Sequence, residues 1–415
     1  MSVFTSSHFA SVSASGTDWR DTSKAVLEQL DDIQSGDNVF NFGFIYISDH
    51  LADDAVSILN LFKSVLKIDD WVGSIGMGVI GCQASYIDKP AISAMLCQFP
   101  KDSFCVFPSD GAESADENTI AQGAVRDWLI KNMPVLSVVH GDPAAEEDPR
   151  QTLAALEQTT NAFYVGGLSS SRSHHYQIAN SVFENALSGV FFSDAVPVST
   201  TVSQGCRPVG GYHIVTKADE ATILTLDDRR ALDVLQEDLK AVIHGKHEGD
   251  EPPFIENLKF IESSTHVPEE FKTLFRGQIH VALPLSVSDQ NDFLVRNITG
   301  IDVDEGSVTI SEDISTGDSA LFVQRDESSI SSELSQSLVA LHKRVMAERG
   351  CFEPKGALYI SCVARGFNPP KSDDNKELNL IKNIIGDVPM TGFYAGGEIN
   401  NARLYGYTGI LTLFF

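Results

Sequence analysis

Apolar positions in this chain fall into short blocks that alternate between two periods. "VFNFGFIYIS" (39–48) is brief, apolar and rich in aromatic and β-branched residues, which predicts a buried strand. "DDAVSILNLFKSVL" (53–66) repeats its apolar residues at helical spacing, and Asp53 and Asp54 lead it, where acidic side chains suit the helix dipole. "WVGSI" (71–75), a Gly-rich bend and the strand-like "AISAMLCQF" (91–99) follow. The same order recurs as "VLSVVHG" (135–141), "DPRQTLAALEQ" (148–158) with a proline at its helical start, "AFYVGGLSSS" (162–171) and "SGVFFSD" (188–194). It recurs again as "GALYISCVARG" (356–366), "NKELNLIKNII" (375–385), "GFYAGGEI" (392–399) and "TGILTLFF" (408–415). The pattern predicts an internal β-α-β-β repeat.

Between the second and third copies the pattern changes. Residues 196–227 alternate and carry turn signals, which predicts several strands. A helix over 228–246, an acidic Pro-containing loop "HEGDEPP" (247–253), and strands within 277–285, 292–302 and 320–326 follow. The long amphipathic helix over 331–349 opens on serines that suit capping. Residues 1–36 read as a Ser/Thr-rich tail and a lead-in helix over Thr22–Ile33. The expected fold class is α/β (mixed α+β), in two related halves, each a mixed sheet flanked by helices. The expected domains are 37–228 and 229–415. A chain of 415 residues is long enough for more than one core.

Charge narrows the partners. Thirty basic residues face 57 acidic ones, for a net charge of −27, and no basic cluster stands out. Nucleic acids and anionic lipids are therefore poor partners. No apolar run approaches the roughly 18 residues that span a bilayer, and the N-terminus lacks the basic-then-apolar order of a signal peptide. Six scattered cysteines form no CxxC pair, which argues against a zinc site or disulfide framework. The expectation is a cytoplasmic protein with free thiols and no membrane insertion.

Candidate chemistry lies in five places. Gly76, Gly78 and Gly81 match the spacing G-x-G-x-x-G, but the segment follows a helix instead of opening one, and Pro90 stops what comes next. It reads as a connection between strands. His174 and His175 could ligate a metal or haem iron, or sit in a solvated loop. Cys362 ends a strand with Arg365 three residues on. The arginine could lower the thiol pKa or hold an anion, or the pair could be an inert cysteine and a salt bridge. Arg207 sits in the turn "SQGCRPVGG" as a ligand clamp or a tie between domains. Glu398 aligns in the repeat with Leu168 and Ile75, so the repeat's preference there reads as apolar and the acid as a departure. A buried carboxylate is costly unless paired, and neighbouring glycines let a ligand approach, which favours a site role.

Several blocks together resemble FIST proteins: "SQGCRPVGGYHIVTKADEATILTLDDRRALDVL", "FLVRNITGID", "ALYISCVARG" and "GFYAGGEINN…GYTGILTLF". The resemblance covers about residues 37–415 and implies FIST N and FIST C domains, a sensory module for which small molecules such as amino acids are proposed as ligands. Some members are associated with haem. The family's motif positions fall on Gly205, Cys206, Arg207 and Pro208, on Arg296, on Cys362 and Arg365, and on Gly397 and Glu398. Ser74 stands where the family often has a cysteine. With both domains filling the chain, the resemblance implies output through a separate signalling protein such as a kinase or chemotaxis-type receptor. The resulting expectation is a sensor in which Arg207, Cys362, Arg365 and Glu398 converge on a cleft between the domains. The rivals are a Cys362-dependent enzyme, an interaction scaffold and a haem-based sensor.

Overall fold

The structure, a computed structural model, describes residues 4–6, 8–34, 40–107, 123–185, 187–244, 279–285, 293–325, 327–366 and 375–415. The predicted acidic loop 247–253 lies outside them. The chain forms two compact units, Met1–Gln204 with Leu334–Phe415, and Gly205–Glu333.

In the first unit the chain runs through β1 (Phe4–Thr5), β2 (Phe9–Ser15), α1 (Trp19–Gln34), β3 (Phe42–Ser48), a 3-10 turn, α2 (Ala55–Leu66), β4 (Asp70–Gly76), the hairpin β5 (Gly78–Gly81) and β6 (Ser85–Ile87), and β7 (Ala91–Cys97). Next come β8 (Phe104–Phe107), α3 (Gly123–Lys131), β9 (Pro134–Gly141), α4 (Pro149–Thr160), β10 (Phe163–Leu168), the hairpin β11 (Gln177–Ala179) and β12 (Ser181–Phe183), and β13 (Leu187–Ser193). β14 (Val198–Ser203) leads into the second unit, which holds β15 (Arg207–Asp219), β16 (Thr222–Leu226), β17 (Arg229–Arg230), α5 (Ala231–His244), β18 (Ile279–Pro284), β19 (Phe293–Asp302), β20 (Ser307–Ile310) and β21 (Ser319–Gln324). After α6 (Glu327–Arg349) come β22 (Gly356–Cys362), α7 (Val363–Gly366), α8 (Lys376–Ile385), β23 (Met390–Ala395), the hairpin β24 (Gly397–Asn400) and β25 (Arg403–Tyr405), and β26 (Gly409–Phe414).

Local chemistry accounts for these elements. β3 is buried along its whole length, as suits a central strand covered on both faces. α2 buries Ala55, Ile58, Leu59, Phe62 and Leu66, one helical face, and stops where Lys67 turns left-handed. α4 starts on Pro149, with the Asp148 carboxylate accepting from the Arg150 amide.

The first unit holds three sheets, ordered β1-β2-β7-β3-β4-β11-β12, β25-β24-β10-β9-β13-β8 and β14-β26-β22-β23-β5-β6. Apart from β1, all three follow one order. A lead strand (β2, β8, β14) is followed by a closing strand (β7, β13, β26), a parallel pair (β3/β4, β9/β10, β22/β23) and a hairpin. The hairpin always comes from elsewhere in the chain. β11–β12 completes the first sheet, β24–β25 the second and β5–β6 the third, so the three sheets exchange hairpins in a closed cycle. One face of each sheet meets the others in a shared core that includes Phe44, Tyr46, Val138, Val165, Leu358 and Phe393. The other faces pack beneath helices: α1 and α2 on the first sheet, α3 and α4 on the second, α6 and α8 on the third. β2 pairs with β7 along its length, and Val26, Leu27 and Leu30 of α1 are buried in the core.

The parallel pairs come so close that a glycine is required at one position in each. A Cβ on Gly73, Gly166 or Gly392 would lie 1.6, 1.8 or 1.7 Å from the carbonyl oxygen of Ile45, Val139 or Tyr359. These three glycines mark the same register position in the three sheets. Opposite them in the exchanged hairpins sit Ile178, Ile399 and Ile80. Glu398, one residue before Ile399, therefore corresponds to Gln177 and Val79. This corrects the alignment of Glu398 with Leu168 and Ile75. The letters mislead because "FYVGGL" is one strand, whereas "GFYAGGEI" is two. β23 ends at Ala395, the chain turns at Gly396, and β24 joins a different sheet.

The second unit is antiparallel. Its order is β15-β21-β18-β19-β20-β16-β17, and a further β15–β16 pairing closes six of these strands into a barrel. Val209, Val215, Ile223, Val281, Val308 and Phe322 fill it, with Leu232, Leu235 and Leu239 of α5 against them.

Candidate functional site

β22 delivers Cys362 to the carboxyl end of the parallel pair in the third sheet, where crevices of α/β sheets lie. There the Cys362 amide donates to the Thr408 carbonyl at 2.9 Å. The Thr408 amide and hydroxyl both donate to Oε2 of Glu398, each at 2.9 Å. Glu398 reaches this point from β24, so a carboxylate mounted on the second sheet is held by the chain entering β26 of the third.

Glu398 is 0% exposed. Its other oxygen, Oε1, meets no donor of full hydrogen-bond geometry among the described residues, and the Cys362 thiol lies beside the carboxyl group. Burial raises the Glu398 pKa to about 7 against the opposing pull of Thr408, Cys362 and the Arg365 charge. Burial and then the neighbouring Glu398 charge push the Cys362 thiol far above its ordinary range. The thiol is therefore protonated at neutral pH and lacks the depressed pKa of a nucleophile.

Arg365 lies next to this pair but is occupied. Its side chain is 0% exposed, and its Nε donates to Glu377 at 2.8 Å. Nη1 donates to the Ser203 carbonyl at 3.0 Å and to that of Tyr407 at 3.4 Å. Glu377 also accepts from Tyr359 at 2.6 Å and from Ser361 at 3.4 Å. The guanidinium thus ties α7, α8 and the end of β14 together, and its role in the fold is that of a buried salt bridge. Gly397 is also packed, since a Cβ there would meet Leu404 at 2.9 Å and Leu168 at 3.5 Å. Gly396 beside it is exposed.

Cys362, Arg365, Gly397 and Glu398 belong to the first unit, and Gly205, Cys206, Arg207 and Arg296 to the second. In the second unit Arg207 donates to Gln324 at 2.7 Å across the β15–β21 pairing, and Arg296 pairs with Glu312. Gly205 adopts a left-handed φ of 66° and its amide donates to Glu333, while Cys206 is buried. Sequence reasoning missed Glu377 and Thr408. Glu377 reads in sequence as an ordinary first-turn acid of an amphipathic helix.

The remaining candidates resolve locally. Gly76 ends β4 and Gly78–Gly81 form β5, so the glycine motif connects strands of two sheets. His174 stacks flat on Tyr176 at 4.8 Å, with its nitrogens against Glu184 and Asp53. His175 is tied to Ser169 at 3.1 Å. Among the described residues no helix is long and apolar enough to cross a membrane.

Three exchanged sheets, a separate barrel and a buried acid–thiol pair at a strand end define a two-unit mixed α/β protein. The chain belongs to the FIST family. It matches the FIST N domain over residues 41–229 and the FIST C domain over residues 231–401. FIST domains are sensor domains of signal transduction. An uncharacterized protein of Mycobacterium tuberculosis is 32% identical over 244 residues, covering 56% of this chain and 55% of the relative. An uncharacterized protein of Mycobacterium bovis is 30% identical over 226 residues, covering 53% and 50%. The chain spans about half the length of the curated relatives it matches.

Proposed function

We propose that this chain is a cytoplasmic sensor that binds a small, amino-acid-like molecule at Glu398 and Cys362 and passes its state to a separate signalling partner, such as a kinase or chemotaxis-type receptor. The observation that carries this reading is the Glu398 carboxyl group. It is fully buried, it titrates near neutrality, and one of its oxygens has no full partner among the described residues. Such an oxygen suits a donor on the ligand, an ammonium above all, since a charged donor would favour the ionised acid and offset its desolvation. Gly396 brings exposed backbone within two residues of it. Arg365 is held by Glu377, so the ligand's other end must be met by other groups.

A thermal-shift screen against amino acids, amines and small acids tests this. A ligand at a hundredfold excess over its Kd should stabilise the protein by about 2.7 kcal/mol. The Glu398→Gln variant, shown to be folded by circular dichroism, should lose that response. A hit whose shift is unchanged in Glu398→Gln and in Cys362→Ser places the ligand elsewhere and refutes the site.

A further inference from the structure

The shared core contains a second polar feature, separate from Glu398 and Cys362. Residues directly paired on neighbouring strands project from the same face, so one rung can be followed across each sheet. In the first sheet the rung is Ser93–Tyr46–Ser74–Gln177. In the second it is Ser188–His140–Gly167–Glu398. In the third, at the same register, it is Ile410–Ile360–Phe393–Val79. Two sheets thus turn polar rungs inward where the third turns an apolar one.

The two polar rungs face each other. The Tyr46 hydroxyl lies 3.1 Å from Nε2 of His140, and Phe393 of the apolar rung stacks on Tyr46 at 4.9 Å. Tyr46, Gln177, His140 and Ser188 are all 0% exposed. Three atoms of this seam have no hydrogen-bond partner among the described residues: Nδ1 of His140, Oγ of Ser188 and Oε1 of Gln177. Ser188 and His140 are direct cross-strand neighbours, whose Cβ atoms stand about 5 Å apart. Gln177 projects from the same face as Ala179, which packs with Val138 and Val190 of β9 and β13. The large majority of buried side-chain polar atoms in folded proteins are paired, so three unpaired ones on facing rungs point to a common occupant.

We propose that this seam is a binding site for a small, uncharged molecule that both donates and accepts hydrogen bonds, the chemistry shared by water and by a carboxamide or alcohol of a few heavy atoms. With Tyr46 donating to Nε2, Nδ1–H of His140 is a donor, and with Nε2–H donating to Tyr46, Nδ1 is an acceptor, while Gln177 Oε1 needs a donor and Ser188 serves either way. One molecule with both functions satisfies all three. A charged ligand finds no counter-charge here. Burial holds His140 neutral, with its pKa lowered to about 3. Glu398 lies beyond Gly167, where a Cβ would strike Ala395 at 2.7 Å and Ile360 at 3.1 Å, so packed apolar groups separate the two sites.

A crystal structure of the full chain at about 1.8 Å, paired with a Ser188→Ala melt, tests the proposal. The expected result is density within hydrogen-bond distance of His140 Nδ1, Ser188 Oγ and Gln177 Oε1. A single round peak identifies water and an elongated one an organic ligand. Ser188→Ala should then lower Tm by about 2 °C or more, because the occupant loses a partner. An empty seam, or a Ser188→Ala variant that melts above the wild type because an unpaired hydroxyl has left the core, overturns it.

Discussion

Ionising Glu398 should cost the folded chain stability, and Glu398→Gln should remove that cost. The folded pKa stands at about 7, against 4.5 for an unperturbed glutamate. At 1.36 kcal/mol per pH unit, the difference amounts to about 3 kcal/mol. The sign follows from which state holds the proton. Below pH 4.5 the acid is protonated in both states and contributes no penalty. Between there and about 7 the unfolded chain ionises while the folded one keeps its proton, so stability falls as pH rises. Above that range the full penalty is present. Glutamine keeps the shape and an acceptor for the Thr408 amide and hydroxyl but cannot ionise. The variant should therefore match or fall slightly below the wild type at pH 5, and exceed it by up to about 3 kcal/mol at pH 8. Urea melts followed by tryptophan fluorescence at pH 5, 6, 7 and 8 measure this. The three tryptophans, Trp19, Trp71 and Trp128, all lie in the first unit, so the signal reports on the unit that holds Glu398. Taking the difference between variant and wild type at each pH cancels every other titrating group. A difference that stays flat across this range refutes the reasoning, and one that falls with pH reverses it.

Three further outcomes follow from the packing. Arg365→Met removes the cation paired with Glu377 and a donor to the Ser203 carbonyl, and should lower stability by about 3 kcal/mol in the same melts. Adding Glu377→Leu should restore part of the loss, because the remaining charge is then gone. Gly392→Ala would drive a Cβ to 1.7 Å from the Tyr359 carbonyl, whereas Gly211→Ala meets nothing within 4 Å. The first should cost more than about 3 kcal/mol or abolish soluble expression, and the second should be nearly neutral. His213 is gripped by Asp227 at 2.6 Å and Asp238 at 2.9 Å, and although burial opposes it, these carboxylates raise its pKa. Its stabilisation is present below the unfolded value of 6.5 and fades as pH rises through the folded one. His213→Gln should therefore destabilise the second unit most at pH 5 to 6, and an NMR titration of the His213 ring should show the raised midpoint.

Most of the elements were legible as apolar blocks, because a central strand such as 42–48 is buried on both faces and a helix such as 55–66 on one. The exchange of hairpins was not legible. It depends on which sheet a two-strand segment joins after a single turn residue, and nothing in "YAGGE" records that the chain leaves one sheet at Gly396 for another. The same limit affected the site. Cys362, Arg365 and Glu398 lie close together within the first unit. What Arg365 does there depends on Glu377, a helix residue whose spacing carries no mark of the contact. Glu398 changes meaning most. Set against Leu168 and Ile75, it read as an acid in an apolar position. Against its register partners it is one of three residues, Val79, Gln177 and Glu398, on the inward face of the three exchanged hairpins. Since Gln177 is polar and buried too, polarity there does not set Glu398 apart. What does is its ionisable group beside the Cys362 thiol, and that is why Glu398→Gln, which removes ionisation and keeps shape, is a sharper probe than an apolar replacement.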